Sequence, residues 1–163
     1  MGKRELTAER LRELVNYTPE TGAFTRRVKV RQYEAGTTCG FESDDGYLLL
    51  RINNRTYLCH RLAWLYMTGE WPKFEIDHID GVRNNNRWTN LRDVPKIINQ
   101  QNQRNRPTTK TGLLGAYPNG RNRWAATIRH QGVLIRLGQF DSPEEAHQAY
   151  LCAKRRLHPG CTI

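Results

Sequence analysis

The chain has 163 residues, of which 37% are hydrophobic, and its 26 Lys and Arg against 16 Asp and Glu give a net charge of +10. This length suits one ordinary domain or two or three small modules, and the modest hydrophobic content excludes a single large core. No stretch approaches the roughly 20 apolar residues of a membrane span, so we expect no membrane segment. The excess positive charge favours a polyanionic partner, with nucleic acid ahead of an anionic membrane surface.

Short helices and strands are predicted before residue 70. Thr7 can cap the first helix, because its side-chain oxygen can accept from an exposed backbone amide. Asn53-Asn54 lies between two β-forming segments, which is a typical hairpin signal. The predicted elements are a helix over 7–16, a turn over 17–22, strands over 24–30, 46–52 and 56–60, and a helix over 62–67 that ends near Gly69.

The next segment predicts a strand, a polar loop, a second strand and a helix. The first strand covers 75–79 and the second covers 90–94. Pro95 then suits the first turn of a helix over 96–102. Between the strands, the run Asn84 to Asn86 has two interpretations, a solvated loop or a DNA contact. The order of elements is therefore ββα.

The C-terminal part predicts three strands and one helix. Residues 103–112 lack core-forming side chains and indicate a basic linker. Strands are expected over 114–117, 124–129 and 133–140. Ser142 and Glu145 form a capping box around Pro143, and an apolar stripe follows it on the helix. The whole chain is therefore predicted to be α+β: a mixed N-terminal region, a ββα module, and a small antiparallel sheet packed on one helix.

The four cysteines are not arranged as a metal-binding framework. They stand at 39, 59, 152 and 161, and no two have the C-x-x-C spacing. We therefore expect no structural zinc, and we expect thiols in a reducing compartment. An intracellular protein, in the cytoplasm of a bacterial or phage-infected cell, is the corresponding expectation for its location.

Positive charge is concentrated towards the C-terminus. Residues 99–163 contain ten basic and three acidic side chains, so seven of the ten net charges fall there. No acidic residue occurs between Asp93 and Asp141. Such a tract can neutralise phosphates and release their counterions. The basic residues of this gap that we predict to contact DNA are Arg104, Arg106, Lys110, Arg121, Arg123, Arg129 and Arg136.

The ββα segment carries residues suited to phosphodiester hydrolysis. Asp77 can hold a divalent cation, and the adjacent His78 can take a proton from water. Asn99, on the predicted helix, can join Asp77 on the metal. Asn90 can hydrogen-bond the backbone near His78 and fix the approach of the imidazole. Because neighbouring side chains of a strand point to opposite faces, the helix must fold across for Asp77 and His78 to serve one site.

This segment resembles the HNH endonucleases, in particular the phage homing-type members with a ββα-metal motif. The resemblance spans roughly residues 14 to 102. It is carried by Ile76 to Gly81, Asn84 to Asn86, Arg87 to Arg92 and Asn99, and upstream by Tyr17 to Gly22 and by Gly46 to Trp64. The resemblance implies a nuclease with Asp77 and Asn99 as metal ligands, His78 as general base and Asn90 as the residue that orients it. His60 also matches a position of that family, either as scaffold or as a phosphate contact.

One departure from the family concerns the metal. Members that bind zinc or nickel have histidine where this chain has Asn99. Carboxylate and amide oxygens favour Mg²⁺, with Mn²⁺ as the second choice. We therefore expect a magnesium site rather than a zinc site.

The C-terminal βββα segment resembles the plant APETALA/ethylene-response-factor DNA-binding domain over about residues 112–160. The matching segments are Gly115 to Tyr117, Trp124 to Arg129, Leu137 to Ser142 and Glu144 to Tyr150. Strand alternation puts a basic face opposite an apolar one. The basic face, which the resemblance assigns to duplex DNA, carries Arg121, Arg123, Thr127 and Arg129, with Arg136 on the third strand.

These observations favour a metal-dependent DNA endonuclease or nickase with a separate DNA-binding domain. The predicted domains are a nuclease over 1–102, with its ββα core at about 74–102, a linker over 103–112 and a DNA-binding domain over 113–163. A DNA-binding regulator with an inactive HNH module is the alternative. An RNA-binding protein is a third, although the exposed sheet face carries Arg and Thr rather than aromatic residues. The target sequence, the number of strands cut, the oligomeric state and the biological role stay open.

Overall fold

The computed structural model describes residues 5–102 and 112–162. The chain divides into two compact units, residues 1–95 and 96–163. Within the described ranges the fold is α+β, with four α-helices and several small antiparallel sheets, which confirms the predicted class. The division into units falls after Pro95, whereas the predicted domain boundary lies at 102, and the functional domain assignment stays a prediction. No helix in the described ranges has the length and apolar character needed to span a membrane.

The first unit contains two helices and three small sheets. The strand orders are β1-β2-β3, β4-β5-β6 and β7-β8, all antiparallel. The elements are α1 (Ala8–Leu14), β1 (Val15–Thr18), β2 (Ala23–Arg26), β3 (Thr38–Cys39), β4 (Phe41–Glu42), β5 (Leu48–Ile52), β6 (Arg55–Leu58), α2 (Cys59–Thr68), β7 (Glu75–His78) and β8 (Leu91–Val94).

The core of this unit forms between the two helices and the sheets. Leu11 of α1 and Leu62 and Ala63 of α2 are completely buried. The rings of Tyr17 and Phe24 pack at 4.9 Å between centroids on the paired strands β1 and β2. Burial of such side chains removes apolar surface from water, which is the main stabilising contribution to the unit.

Two boundaries in this unit differ from the sequence prediction. Val15 was expected in the first helix but begins β1, where it pairs with Arg26. A β-branched residue fits a strand well, and the tertiary pairing decides its conformation. The predicted strand over 56–60 ends at Leu58, because Cys59 and His60 begin α2 and are buried by it. The short strands β3 and β4 were not predicted.

The second unit is one helix followed by a sheet and a longer helix. Its elements are α3 (Lys96–Gln101), β9 (Ala116–Pro118), β10 (Trp124–His130), β11 (Val133–Phe140) and α4 (Pro143–Leu157). The sheet order is β11-β10-β9, with antiparallel pairing throughout. This confirms three strands and a helix in the predicted order.

Helix α4 begins as predicted. The Ser142 hydroxyl accepts from the amide of Glu145 at 3.1 Å, and Pro143 occupies the first turn. The Glu145 carboxylate accepts from the amide of Asp141 at 3.1 Å, one residue before the cap. The buried side chains of α4 include Ala146 and Ala153, which supports the predicted apolar stripe. Lys154 is also buried, which the stripe did not predict.

Candidate active site

The hairpin of β7 and β8 carries the central pair of candidate residues. Asp77 pairs with Arg92 and His78 pairs with Leu91 across the two strands. Asp77 and His78 are each 5% exposed. Their side chains make contacts with different groups, as expected for neighbours on a strand.

The Asp77 carboxylate is held by a guanidinium. Nε and Nη2 of Arg92 donate to the same oxygen, Oδ2 of Asp77, at 2.8 and 2.7 Å. The Asp77 side chain is 6% exposed and that of Arg92 is 26% exposed. Charge-assisted hydrogen bonds of this kind are short and strong, and they fix the orientation of the carboxylate. Arg92 stands in the matched Asn-Leu-Arg segment, but sequence reasoning gave it no role.

The His78 imidazole lies among buried polar and aromatic groups. Its Nε2 lies 3.0 Å from Oδ1 of Asn86. The His60 ring is nearly perpendicular to it, with 5.0 Å between centroids, and the Tyr47 ring lies at 6.1 Å. Since an amide oxygen can only accept, Nε2 is the donor in this contact.

Asn86 is the site residue that sequence reasoning missed. The run Asn84 to Asn86 was read as a solvated loop or a DNA contact, but Asn86 is 1% exposed. The backbone carbonyl of Asn86 accepts a hydrogen bond from the Tyr17 hydroxyl at 2.6 Å. Burial raises the pKa of Tyr17, so the hydroxyl stays a donor. The only sequence signal was its place in the matched segment, because the contact joins residues 69 positions apart.

The turn between β1 and β2 contacts the loop that carries Asn86. The amide of Trp88 donates to the Pro19 carbonyl at 2.9 Å. Gly22 has φ +76°, and a Cβ there would lie 2.4 Å from the carbonyl carbon of Asn86. A side chain at Gly22 would therefore clash with the backbone of Asn86 and Arg87.

Gly22→Ala is expected to destabilise the protein and displace Asn86 from His78. Both the positive φ and the close approach disfavour alanine, so we expect a loss of about 2 kcal/mol or more in the free energy of unfolding. Urea denaturation measures this loss. Gly36 also has a positive φ but nothing within 4 Å of its Cβ position, so Gly36→Ala is the matched control for the backbone effect alone. If the two variants lost equal free energy of unfolding, the close approach of Gly22 to Asn86 would contribute nothing to stability.

Asn90 secures the loop that follows β7. It ends a short 3₁₀ turn before β8, rather than lying in the strand as predicted. Its Oδ1 accepts from the amide of Asp80 at 2.9 Å, and its Nδ2 donates to Oδ1 of Asp80 at 2.9 Å. Asn90 thus contacts the backbone two residues beyond His78.

Asp80 is the anionic centre of the same loop. Burial opposes its ionisation, but hydrogen bonds from the Val82 amide and from the side chains of Asn85 and Asn90, with the charge of His78, lower the pKa of Asp80 overall. The Asn85 amide donates to Oδ2 of Asp80 at 2.6 Å. These contacts fix the exit of the chain from β7 and therefore the position of His78.

His60 is a buried neutral histidine beside His78. Burial first, and then the nearby charges of His78 and Arg61, lower the pKa of His60 to about 3. Its Nδ1 has no hydrogen-bond partner within the described ranges. An imidazole with this pKa is uncharged at neutral pH. His60 therefore cannot supply a proton as a cationic acid, and its contacts suit a scaffold or a neutral hydrogen-bonding role.

The pKa of His60 predicts that acid destabilises the protein. The folded-state pKa of about 3 lies below the unfolded value of 6.5, so the unfolded state binds the extra proton between these values. Stability is then complete above pH 6.5 and falls as the pH drops towards 3, by about 1.4 kcal/mol per pH unit. Between pH 7 and pH 5, His60→Gln should lose about 2 kcal/mol less than wild type in urea denaturation. If wild type and His60→Gln lost the same free energy of unfolding between pH 7 and pH 5, the lowered pKa of His60 would be wrong.

The remaining predicted site residues belong to the second unit or lie outside the described residues. Asn99 lies on α3, in the second unit, and its role beside Asp77 stays a prediction. Arg104, Arg106 and Lys110 fall outside the described residues. Within the described sheet, the DNA-binding candidates are Arg121 in the turn before β10, Arg123 next to that strand, Thr127 and Arg129 on β10, and Arg136 on β11.

The chemistry of the donor set suits a hard cation. Among the described residues there is no group of three or more His, Cys, Asp or Glu arranged to hold a metal. The oxygen of a carboxylate such as Asp77 and that of an amide such as Asn99 are donors that Mg²⁺ accepts without such a group.

Burial raises the pKa of Cys59 to about 12 and also raises that of Cys39, so both thiols are protonated at neutral pH.

Comparison with known families agrees with this site. Residues 57–101, from the end of β6 through α3, match the family model described as HNH endonuclease. Neither a curated protein nor a solved structure matches the chain. The matched segment contains His60, Asp77, His78, Asn90 and Asn99. The protein is accordingly a nuclease, an enzyme that hydrolyses phosphodiester bonds, and this domain implies DNA as its substrate.

Proposed function

We propose that the protein is a metal-dependent DNA endonuclease or nickase of the phage homing type, with His78 as its general base. The observation that carries this proposal is the hydrogen bond between Nε2 of His78 and Oδ1 of Asn86. It orients the ring from a buried loop through Nε2, and we assign the acceptance of the proton to Nδ1. A positioned imidazole is what activation of a water molecule requires.

The reaction begins with proton removal from water. Nδ1 of His78 takes the proton, and the resulting hydroxide attacks phosphorus as the bond to the leaving oxygen breaks. Asn86 keeps the ring oriented through Nε2, and the imidazolium that forms has the Asp80 carboxylate on the adjoining loop as a compensating charge. The neighbouring His60 stays neutral, so it does not repel the new cation.

Asp77 and Asn99 would hold the divalent cation, Mg²⁺ or Mn²⁺. When bound there, the ion supplies positive charge to the phosphate and to the departing oxygen. Arg92 fixes Oδ2 of Asp77 before any cation arrives, so the carboxylate needs little reorientation. A test is nicking of supercoiled plasmid with Mg²⁺ or Mn²⁺, compared with EDTA. A regulator with an inactive module would retard the plasmid in a gel without nicking it.

The sheet of the second unit would bind duplex DNA. Arg129 on β10 and Arg136 on β11 are exposed, and Arg136 pairs with Thr127 across the strands. On the opposite face, Ile128 is 2% exposed and Ala126 is completely buried. A basic strand face above an apolar one resembles the APETALA/ethylene-response-factor domains. Arg123 differs from the other arginines, because it forms an ion pair with Asp141.

Replacing Arg129 and Arg136 together by glutamine is expected to weaken duplex binding about tenfold or more. Two phosphate or base contacts are lost, so the slope of log affinity against log salt should fall by about two. Fluorescence anisotropy at several salt concentrations measures both quantities. Arg156→Gln removes an exposed charge from α4 and is the control. An equal loss in the control would indicate that only net charge matters.

A further inference from the structure

The first unit has a cavity away from the residues assigned to hydrolysis. It has a volume of about 370 Å³ and lies between β1, β2, β5 and the turns that follow β2 and β5. Its lining residues include Leu50 and Ile52 and three arginines, Arg26, Arg31 and Arg51. The volume falls in the range of small-molecule sites, which are mostly apolar with a few placed polar groups.

The cavity is strongly electropositive. Within the described part of the chain, no Asp or Glu lines it, and none of its three arginines forms an ion pair. The buried Nε of Arg26 has no hydrogen-bond partner among the described residues. Guanidinium groups in such a setting match phosphate, which they bind through paired hydrogen bonds.

An aromatic ring stands at the same cavity. The guanidinium of Arg26 lies over the Tyr33 ring, 4.6 Å from its centroid. Tyr33 nevertheless remains 48% exposed. An exposed ring beside arginines is the combination with which proteins bind unpaired nucleotides, by stacking on the base and pairing with the phosphate.

Arg31 occupies a backbone position that glycine would favour. It has φ +54° in a tight turn closed by two hydrogen bonds between Val30 and Tyr33, at 2.9 and 3.0 Å. A non-glycine residue in this conformation is uncommon. An arginine thus occupies a position at the cavity against the preference of the backbone.

A second cavity adjoins the first. Both are lined by Asn53 and Asn54, the hairpin turn between β5 and β6. The second cavity also presents Arg55 and Tyr57, together with Glu5 and with Arg10, which is paired with Glu13. A free nucleotide would need only the first cavity, whereas a strand needs a continuing path for its next phosphate. The two adjoining cavities therefore favour a strand.

We propose that this cavity binds one unpaired nucleotide of a DNA strand, with the base on Tyr33 and the phosphate on Arg26, Arg31 and Arg51. The neighbouring nucleotide would lie along Asn53 and Asn54 towards Arg55. This goes beyond the proposed function, because binding here requires neither His78 nor a metal ion. A nuclease with such a pocket would prefer DNA that has an unpaired or easily opened base near the cut.

The experiment uses the full chain carrying His78→Ala, so that cleavage cannot affect binding. The probe is a single-stranded DNA of about ten nucleotides that contains one 5-iodouracil. Anisotropy gives its affinity, and ultraviolet cross-linking followed by mass spectrometry identifies the residue at the base. Arg31→Gly is the sharpest variant, because glycine suits the positive φ and the protein should fold at least as well. Lys73→Gln removes one charge from the same unit outside the cavity and is the control.

The expected result is a cross-link at Tyr33 and an affinity about five- to tenfold lower for Arg31→Gly and for Arg51→Gln, with less than twofold change for Lys73→Gln. Equal affinity in all four proteins, or no cross-link at Tyr33, would overturn the proposal. Competition by a mononucleotide as strong as that by the oligonucleotide would overturn the assignment to a strand. Plasmid nicking by the protein with native His78 is scored separately, so failure of the nuclease mechanism is distinguishable from failure of this pocket.

Discussion

Replacing His78 with alanine is expected to lower the rate of DNA nicking by about 10²–10⁴-fold while duplex binding stays within twofold. This is the typical contribution of a general base, and His78 is the residue whose imidazole is oriented for that role by Asn86. Single-turnover nicking of supercoiled plasmid at saturating protein measures the chemical step. Binding is measured by anisotropy on the same duplex.

The control for this variant is another histidine. His147 lies on α4 and has Nδ1 at 2.7 Å from the Leu114 carbonyl, so His147→Ala removes an imidazole from the second unit alone. It should nick at close to the wild-type rate. If His78→Ala nicked as fast as His147→Ala, the general-base assignment would be wrong and another group would have to activate water.

Asn86 can be tested by the pH dependence of the same reaction. An Asn86→Asp substitution keeps the size of the side chain but sets a negative charge against Nε2, which favours the imidazolium. The pH–rate profile should then move to higher pH, because His78 would have to lose its proton before it could act. A lower rate with an unshifted profile would mean that Asn86 acts only through packing.

Local chemistry made the element types predictable. Ser142, Pro143 and Glu145 predict the start of α4, because each satisfies or tolerates an unpaired amide of the first turn. Asn53 and Asn54 both adopt positive φ in the turn between β5 and β6, the conformation that two-residue hairpins require. These signals lie within a few residues of the structure they determine.

The contacts that build the candidate site were not predictable in this way. The Tyr17 hydroxyl reaches Asn86 across 69 positions, and Arg92 reaches Asp77 across 15. Neither pairing leaves a local periodicity, so Asn86 was read as an exposed loop residue. His60 was placed in a strand for a similar reason, because burial of Cys59 and His60 in α2 depends on packing within the core. The family resemblance marked Asp77, His78 and Asn90, but it gave no contacts for them.

Arg92→Gln is expected to lower the free energy of unfolding by about 3 kcal/mol. It removes both donors from Oδ2 of Asp77 and leaves a carboxylate that is 6% exposed without its guanidinium. Loss of one partner from a buried ion pair is costly, because the remaining charge keeps its desolvation penalty. Urea denaturation measures the change. The control is Arg87→Gln, at an exposed position four residues before β8. It breaks none of the ion pairs among the described residues and should change stability by less than about 0.5 kcal/mol.

A double variant, Asp77→Asn with Arg92→Gln, distinguishes the cost of a buried charge from the cost of lost packing. Adding Asp77→Asn to Arg92→Gln removes the carboxylate charge that has lost its guanidinium, so we expect more than half of the lost stability to return. The double variant should still fail to nick DNA, because it lacks the carboxylate proposed to hold the cation. If the two substitutions were additive in their cost, the ion pair would contribute nothing to the fold. Asp77 would then have to be held by its other neighbours, and Arg92 would lose its role in orienting the carboxylate.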